Sequence, residues 1–529
     1  MIAFIRGPET FVSSGQIYVK FLPGGAPVQL THDDRLKMAP AFSSDGSRIA
    51  YTVTLPAFGW STWVVPVLGG EPHELLPNAA ALAWTDAQHV IFSEVKTGTH
   101  MGIVSATESR AAERDLYLPA SVSGMAHRSW LSPDGKWVLV SEMDVVGWRP
   151  CRVIPSDGGA SGETVGPTMA RCTYAGWNPD GKTMYFSADA GDGYHIWRQS
   201  FPGGAPEQLT FGPTEEEGVA ISPDGRTLVT SAGIRESTIW LHDARGDRAI
   251  SGEGFASVPG LGFGSTIAHS AFSTDGTKFF YLLRKRGSRA YQSGELWMTE
   301  IASGRARLVL SGISMTEFDI ESNLNRVAYT SLDSAGNPHA WVAPLDHSKP
   351  PTMIVPSVAR QACFAAGGEI YLLAHEGNRE FVYRVGPKQS GAQKMSPKPY
   401  TDFSGLSPLG DLWMLNYDTA PEVTGPGGTP VPICHSCGGE WGAGGKYLYL
   451  RFRDTGEMGG GAVFAIAITK GKELPELPPS GFHSADELKG WAARIDMTGK
   501  TIFAPGPDPS VYAYVKATVQ RNLFSIPLD

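Results

Sequence analysis

The chain has 529 residues, 42% of them hydrophobic and 18% charged, with a formal net charge of −9. Its length exceeds one ordinary domain, and its apolar share is ample for packed cores. An acidic balance without a basic stripe excludes a nucleic-acid surface, and no apolar run reaches the ~18 residues of a membrane-spanning helix. The opening residues, MIAFIRGPET, lack the charged and apolar regions of a signal peptide.

Glycine (63) and proline (39) punctuate the whole chain, as many short strands joined by tight turns require. One turn element recurs in chain order: SSDGSRIAYT (43–52), SPDGKWVLVS (132–141), NPDGKTMYFS (178–187), SPDGRTLVTS (222–231) and STDGTKFFYL (273–282). Weaker copies are TDAQHVIFSE (85–94), ESNLNRVAYT (321–330), AAGGEIYLLA (365–374), SPLGDLWMLN (407–416), GAGGKYLYLR (442–451) and the blurred APGPDPSVYAYVK (504–516). Pro presets the first corner, Asp bonds the local backbone and Gly supplies positive φ. Alternating apolar residues follow each turn, which is the pattern of a half-buried hairpin strand.

A second strand carrying an aromatic comes after each hairpin, as in TWVVPV (62–67), IWRQSF (196–201), IWLHDA (239–244), LWMTEI (296–301) and AWVAPL (340–345). Tyr18, Tyr383, Phe464 and Phe524 take the same slot, while Gly102 and Cys151 replace the aromatic in two copies. The fixed register points to packing between neighbouring sheets rather than to a stacking surface for a ligand. A Gly-rich turn and a fourth strand ending in QLT or similar close the unit. Two units are near-copies, IYVKFLPGGAPVQLT (17–31) and IWRQSFPGGAPEQLT (196–210), set apart by about four periods of 45 residues.

Four short antiparallel strands per unit describe a β-propeller blade, and twelve units exceed one ordinary ring. The expected fold is therefore all-β, with two tandem propellers of six blades each over 1–252 and 253–529; seven plus five stays open. The first blade begins at its second strand. Either the natural polypeptide continues upstream of Met1, or another segment supplies the missing strand as a ring closure.

Five cysteines leave the redox compartment open. Cys151 with Cys172, and the lone CxxC of Cys434 and Cys437, could form disulfides or remain scattered thiols, with Cys363 left over. No second CxxC or paired histidines accompany them, so no zinc site is expected. The acidic run TEEEG (214–218) is either a solvated loop or a calcium-binding loop. The loops entering the innermost strands lie at the mouth of a propeller channel. They present Arg35, Lys37, His127, Arg171, Glu215, Glu216 and Glu217 in the first ring and His269 in the second. Mixed charge and imidazole there suit a polar ligand or a peptide, although ordinary loop polarity gives the same composition.

The stretch LTFGPTEEEGVAISPDGRTLVTSAGIRESTIWLHDARG (209–246) resembles the TolB-type, or WD40-like PD40, propeller repeat, and the resemblance extends over essentially the whole chain. HMGIVSATESRAAERDLYLPA (100–120), LTFGPTEEEG (209–218) and PGPDPSVYAYVKATVQRNLFSIPL (505–528) are similar to the long propeller region that follows the catalytic domain in some bacterial serine/threonine kinases. That resemblance implies an outward-facing sensor on a membrane-anchored parent, with a periplasmic or extracytoplasmic location; the cytoplasm stays open. The chain lacks the kinase signature set, and it lacks the G-x-S-x-G elbow, HExxH and Walker A motifs. The expectation is a non-enzymatic module without a cofactor that binds a protein, a peptide or a small polar ligand. The alternatives are a funnel enzyme of lyase or lactonase type and a TolB-like envelope scaffold.

Overall fold

The computed structural model describes the chain except 8–10, 56–58, 98–99, 122–123, 145–146, 253–254, 258–269, 286–292, 334–336, 378, 388–390, 401, 408–411, 418–419, 426–427, 436, 453–460, 491 and 529. At 235–236, 255–256, 270, 402, 404, 413, 415–417 and 420 only the backbone is described. His269, expected at the mouth of the second ring, lies outside the described residues. The protein is all-β, as expected. Among the described residues the one helical element is a single 3₁₀ turn, Ala485–Leu488, and no helix is long and apolar enough to cross a membrane.

Antiparallel sheets, mostly of four strands, follow one another along the chain. The strands Lys37–Phe42, Arg48–Leu55, Gly59–Pro66 and His73–Pro77 pair in that order, and Arg171–Trp177, Thr183–Asp189, Tyr194–Ser200 and Glu207–Gln208 repeat the scheme. This architecture is consistent with β-propellers.

The turn element works as its chemistry dictates. Ser43 Oγ donates to Asp45 Oδ1 at 2.6 Å, Ser47 N donates to the same oxygen, and Gly46 closes the corner at φ 70°. The same Ser–Asp contact recurs at Ser132 and Asp134, and at Ser273 and Asp275. The twin segments are matched atom for atom at their ends. Thr31 Oγ1 accepts from Ile17 N and Thr210 Oγ1 from Ile196 N, each at 2.9 Å, and the amides of Gln29 and Gln208 donate to Thr31 O and Thr210 O. Ser251 and Ser396 accept from Ile239 N and Val382 N in the same way.

The aromatic slot packs sheet on sheet. Trp63 lies against the cluster shared by Ile17, Val19, Ile49 and Val65, and Trp197 against the one joining Leu139 and Val153 to Met184 and Phe186. Where sheets stack face to face, such a wide side chain fills the inter-sheet layer.

The chain resolves into two compact units. The first holds 1–235 together with 518–529, and the second holds 236–455 and 459–517. The expected break at 252 and 253 is replaced by a break inside two unusually long strands, Thr227–Asp243 and Tyr512–Pro527. SPDGRTLVTS does not turn back before IWLHDA, because the strand runs straight through. Within the first unit, Glu215–Ile221 pairs with the start of Thr227–Asp243, and Ile526 and Leu528 pack beside Leu228 and Ile196. Within the second, Tyr512–Pro527 begins against Thr501–Pro505, and Trp240 stacks on Tyr514 at 6.5 Å. Trp240 therefore fills the aromatic slot assigned from sequence to Phe524, which is 53% exposed in the first unit.

Apolar clusters link successive sheets of the second unit around a closed circuit. Ile239 and Leu241 meet Phe279 and Tyr281; Leu282 and Leu296 meet Val327 and Tyr329; Ala328 and Ala340 meet Leu372. Tyr371 and Val382 then meet Phe403; Met414 and Val423 meet Leu448 and Phe464; Tyr449 and Val463 return to Tyr512 and Tyr514.

Cys151 is disulfide-bonded to Cys172 with Cα atoms 5.3 Å apart, and Cys434 to Cys437 at 6.0 Å; Cys363 is outside both. The first bond spans 21 residues and ties neighbouring sheets. Replacing Cys151 and Cys172 by Ala is expected to cost the first unit about 3 kcal/mol through the looser unfolded chain. The Cys434–Cys437 pair closes a much shorter loop and should cost less. Denaturant titration of the two double variants checks the ranking, and equal midpoints would contradict it.

Candidate functional site: an arginine in an aromatic cage

Five first-unit strands that begin a hairpin carry a register shift near their start. It falls between Met38 and Ala41, Ala80 and Ala83, Ala126 and Arg128, Cys172 and Tyr174, and Glu217 and Ala220. At three of these bulges the extra residues enter the left-handed region, at Ala39 (φ 51°), Ala81 (φ 49°) and Gly218 (φ 97°). Bulges twist a strand locally and re-aim its side chains. At the other two a single residue is extra, His127 in Met125–Leu131 and Thr173 in Arg171–Trp177. The candidate site gathers at these two.

His127 is fully buried among Phe11, Trp148 and Trp60, with ring centroids 5.3, 5.6 and 6.0 Å away. Burial, with the Arg128 charge adding to it, pushes its imidazole down to about 3, so the ring is neutral near neutral pH. Arg128 beside it is 2% exposed. Its guanidinium carbon sits 4.1 Å from the Tyr174 ring centroid, 5.0 Å from Phe11 and 5.6 Å from Trp148. Nη1 donates to Thr173 O at 2.9 Å. Phe11, Trp148 and Tyr174 are each half-buried, so the cation is enclosed by rings that themselves reach solvent. Aromatic faces attract a cation through their quadrupole, more strongly when water is excluded. Recognition of a polar or charged group against a flat apolar wall is what such a cage can do chemically.

The other residues expected at the channel mouth are placed as follows. Lys37 is fully buried; its Nζ donates to Asp33 O and Arg35 O and pairs with the Asp33 carboxylate at 2.9 Å. Burial lowers its pKa, partly offset by Asp33. Arg35 clamps Asp33 and lies 3.8 Å over the Trp63 ring. Arg171 pairs with the buried Asp189 carboxylate at 2.9 Å, which also accepts from Gly191 N and Gly193 N.

The acidic run is divided among different partners. Glu216 accepts from His195 Nδ1 at 2.9 Å and from the hydroxyls of Thr210 and Thr214. Burial opposes ionisation of Glu216, but these hydrogen bonds outweigh it and lower its pKa; the same contact raises that of His195 against its burial. Glu215 O and the Glu217 carboxylate take Arg521. Among the described residues, no group of three or more His, Cys, Asp or Glu side chains could hold a metal ion.

His127 is thus the one expected residue that joins the cage. Phe11, Trp60, Arg128, Trp148 and Tyr174 were not read from sequence. They come from three sheets and the loop that holds Phe11, and only the pair His127–Arg128, consecutive polar residues in an apolar strand, gave a local signal.

The fold and the cage define an all-β protein of serial antiparallel sheets with a buried cation enclosed by aromatic rings in its first unit. No family model matches the chain. Over 111 residues, 21% of the chain, it is 27% identical to the uncharacterized protein Atu1656 of Agrobacterium fabrum, spanning 37% of that relative's length. Among solved structures it is similar to the tricorn protease, at 10% identity and TM-score 0.32, over 88% of this chain and 61% of that one. It is also similar to TolB from Acinetobacter baumannii, at 14% identity and TM-score 0.23, over 58% of this chain and 82% of that one.

Proposed function

We propose that the chain forms two six-bladed, TolB-like propellers and serves as a binding or sensor module for a protein, a peptide or a small polar ligand. On this reading it does no chemistry itself and belongs to the outward-facing part of a receptor-like bacterial serine/threonine kinase. The closed circuit of six inter-sheet clusters in the second unit supports six blades there. The two disulfides support an oxidising compartment.

The Arg128 cage carries the functional part of the reading. A buried cation walled by aromatic rings is recognition chemistry. A funnel enzyme is the second reading, favoured by the buried His195–Glu216 contact. Thermal-shift screening of the full chain against peptides, glycans and envelope fragments tests the two. Saturable binding of one class without turnover is expected; turnover with every class failing to bind overturns the module. A reading frame upstream of Met1 encoding a kinase domain and a membrane span is the expected genomic result.

A further inference from the structure

We propose that Arg128 anchors a site for a carboxylate-bearing ligand, whose acid group takes the side-on edge of the guanidinium while its body lies against Phe11, Trp148 and Tyr174. The proposal rests on the binding-module reading and names the chemistry of its ligand.

The guanidinium is held by its far corner, where Nη1 donates to Thr173 O. Nε and Nη2 have no hydrogen-bond partner among the described residues. These two nitrogens form one edge, and elsewhere the chain fills that same edge with a carboxylate. Arg35 grips Asp33 through Nε and Nη2 at 3.1 and 3.2 Å. Arg326 grips Glu321 at 2.9 and 2.5 Å, and Arg360 grips Glu380 at 2.8 and 2.6 Å. Arg128 offers the same fork, unmatched by any carboxylate among the described residues.

Its burial makes the two unmatched donors consequential. A charge taken out of water carries a large desolvation penalty unless a counter-charge and hydrogen bonds answer it. Aromatic faces answer part of that penalty, but they approach the flat of the guanidinium and leave its edge donors unmatched. A planar carboxylate matches the fork in geometry and in charge. The neighbouring His127 is neutral and fully buried, so it brings no competing cation. The rings of Phe11 and Trp148 meet edge to face, with centroids 5.2 Å apart, and give the ligand an apolar wall beside its acid group.

The test uses the full-length protein. Benzoate and benzamide differ in charge but hardly in shape, and N-acetylphenylalanine and its amide mimic a peptide C-terminus with and without its acid. Calorimetry and thermal unfolding read the binding. Each acid is expected to bind at least ~10-fold more tightly than its amide. Arg128→Met should abolish that preference, and Arg128→Lys, which keeps the charge but loses the fork, should weaken it. Tighter binding of N-acetylphenylalanine would assign a peptide terminus, and tighter binding of benzoate a small free acid. Equal binding of acid and amide, a preference that survives Arg128→Met, or no acid bound by the folded wild type overturns the proposal. Should Arg128→Met not fold, an unchanged preference in Arg128→Lys overturns it. Loss of the acid preference alone leaves the module intact, because that reading fails only by turnover without any bound class.

Discussion

Arg521→Met is expected to destabilise the first unit by about 3–5 kcal/mol, the cost of removing one partner from a buried charged network. The side chain is 6% exposed and lies in the strand that joins the first unit from far along the chain. Its Nη2 donates to Glu215 O at 2.7 Å and to Ser231 O at 3.0 Å, and its Nη1 faces the Glu217 carboxylate at 3.3 Å. Methionine keeps the volume but leaves two carbonyls and two acidic side chains without their donor. Hydrogen exchange should then rise across 215–231 and stay unchanged across 326–385. Deleting 518–529 should go further, since a whole strand and the packing of Ile526 and Leu528 go with it. Equal protection in variant and wild type would show that the strand is dispensable.

Glu380→Gln should cost the second unit about 3 kcal/mol at pH 7 and almost nothing near pH 2. Burial alone would raise the Glu380 pKa, but the Arg360 charge and hydrogen bonds, with His375 adding to them, hold it at about 2. The folded value lies below the ordinary glutamate value. The contribution is therefore complete above pH ~4.5 and drains away as pH falls through about 2. Denaturation of wild type and variant at pH 7, 4 and 3 should show the two converging. A cost that does not change with pH would mean that the carboxylate acts through shape rather than charge.

The fold was legible where it is written locally. Ser–Asp–Gly corners and the threonines of QLT announce hairpins because their side chains satisfy backbone groups two to fourteen residues away, a range that one stretch of sequence displays. The two long strands were misread for an instructive reason. Repeats train the eye to expect a corner, yet Tyr512 to Ile526 contains no Gly, Pro or Asp at which to make one. That absence was a usable signal. The cage offered far less. Phe11, Arg128, Trp148 and Tyr174 are brought together by sheets stacking around them, and their spacing along the chain follows no period. The bulge that re-aims His127 depends on strand pairing, which composition does not encode.

The long strands also set the order of events as the protein is made. The ribosome delivers residue 235 nearly 300 residues before 518, an interval of roughly 15–60 s at ordinary elongation rates. Through that time the strand edge at 227–235 awaits its neighbour, and an unpaired edge invites other chains. The half that emerges first is thus completed late, so a product cut short anywhere before 518 leaves it unfinished. Full length becomes a condition for a sound first half.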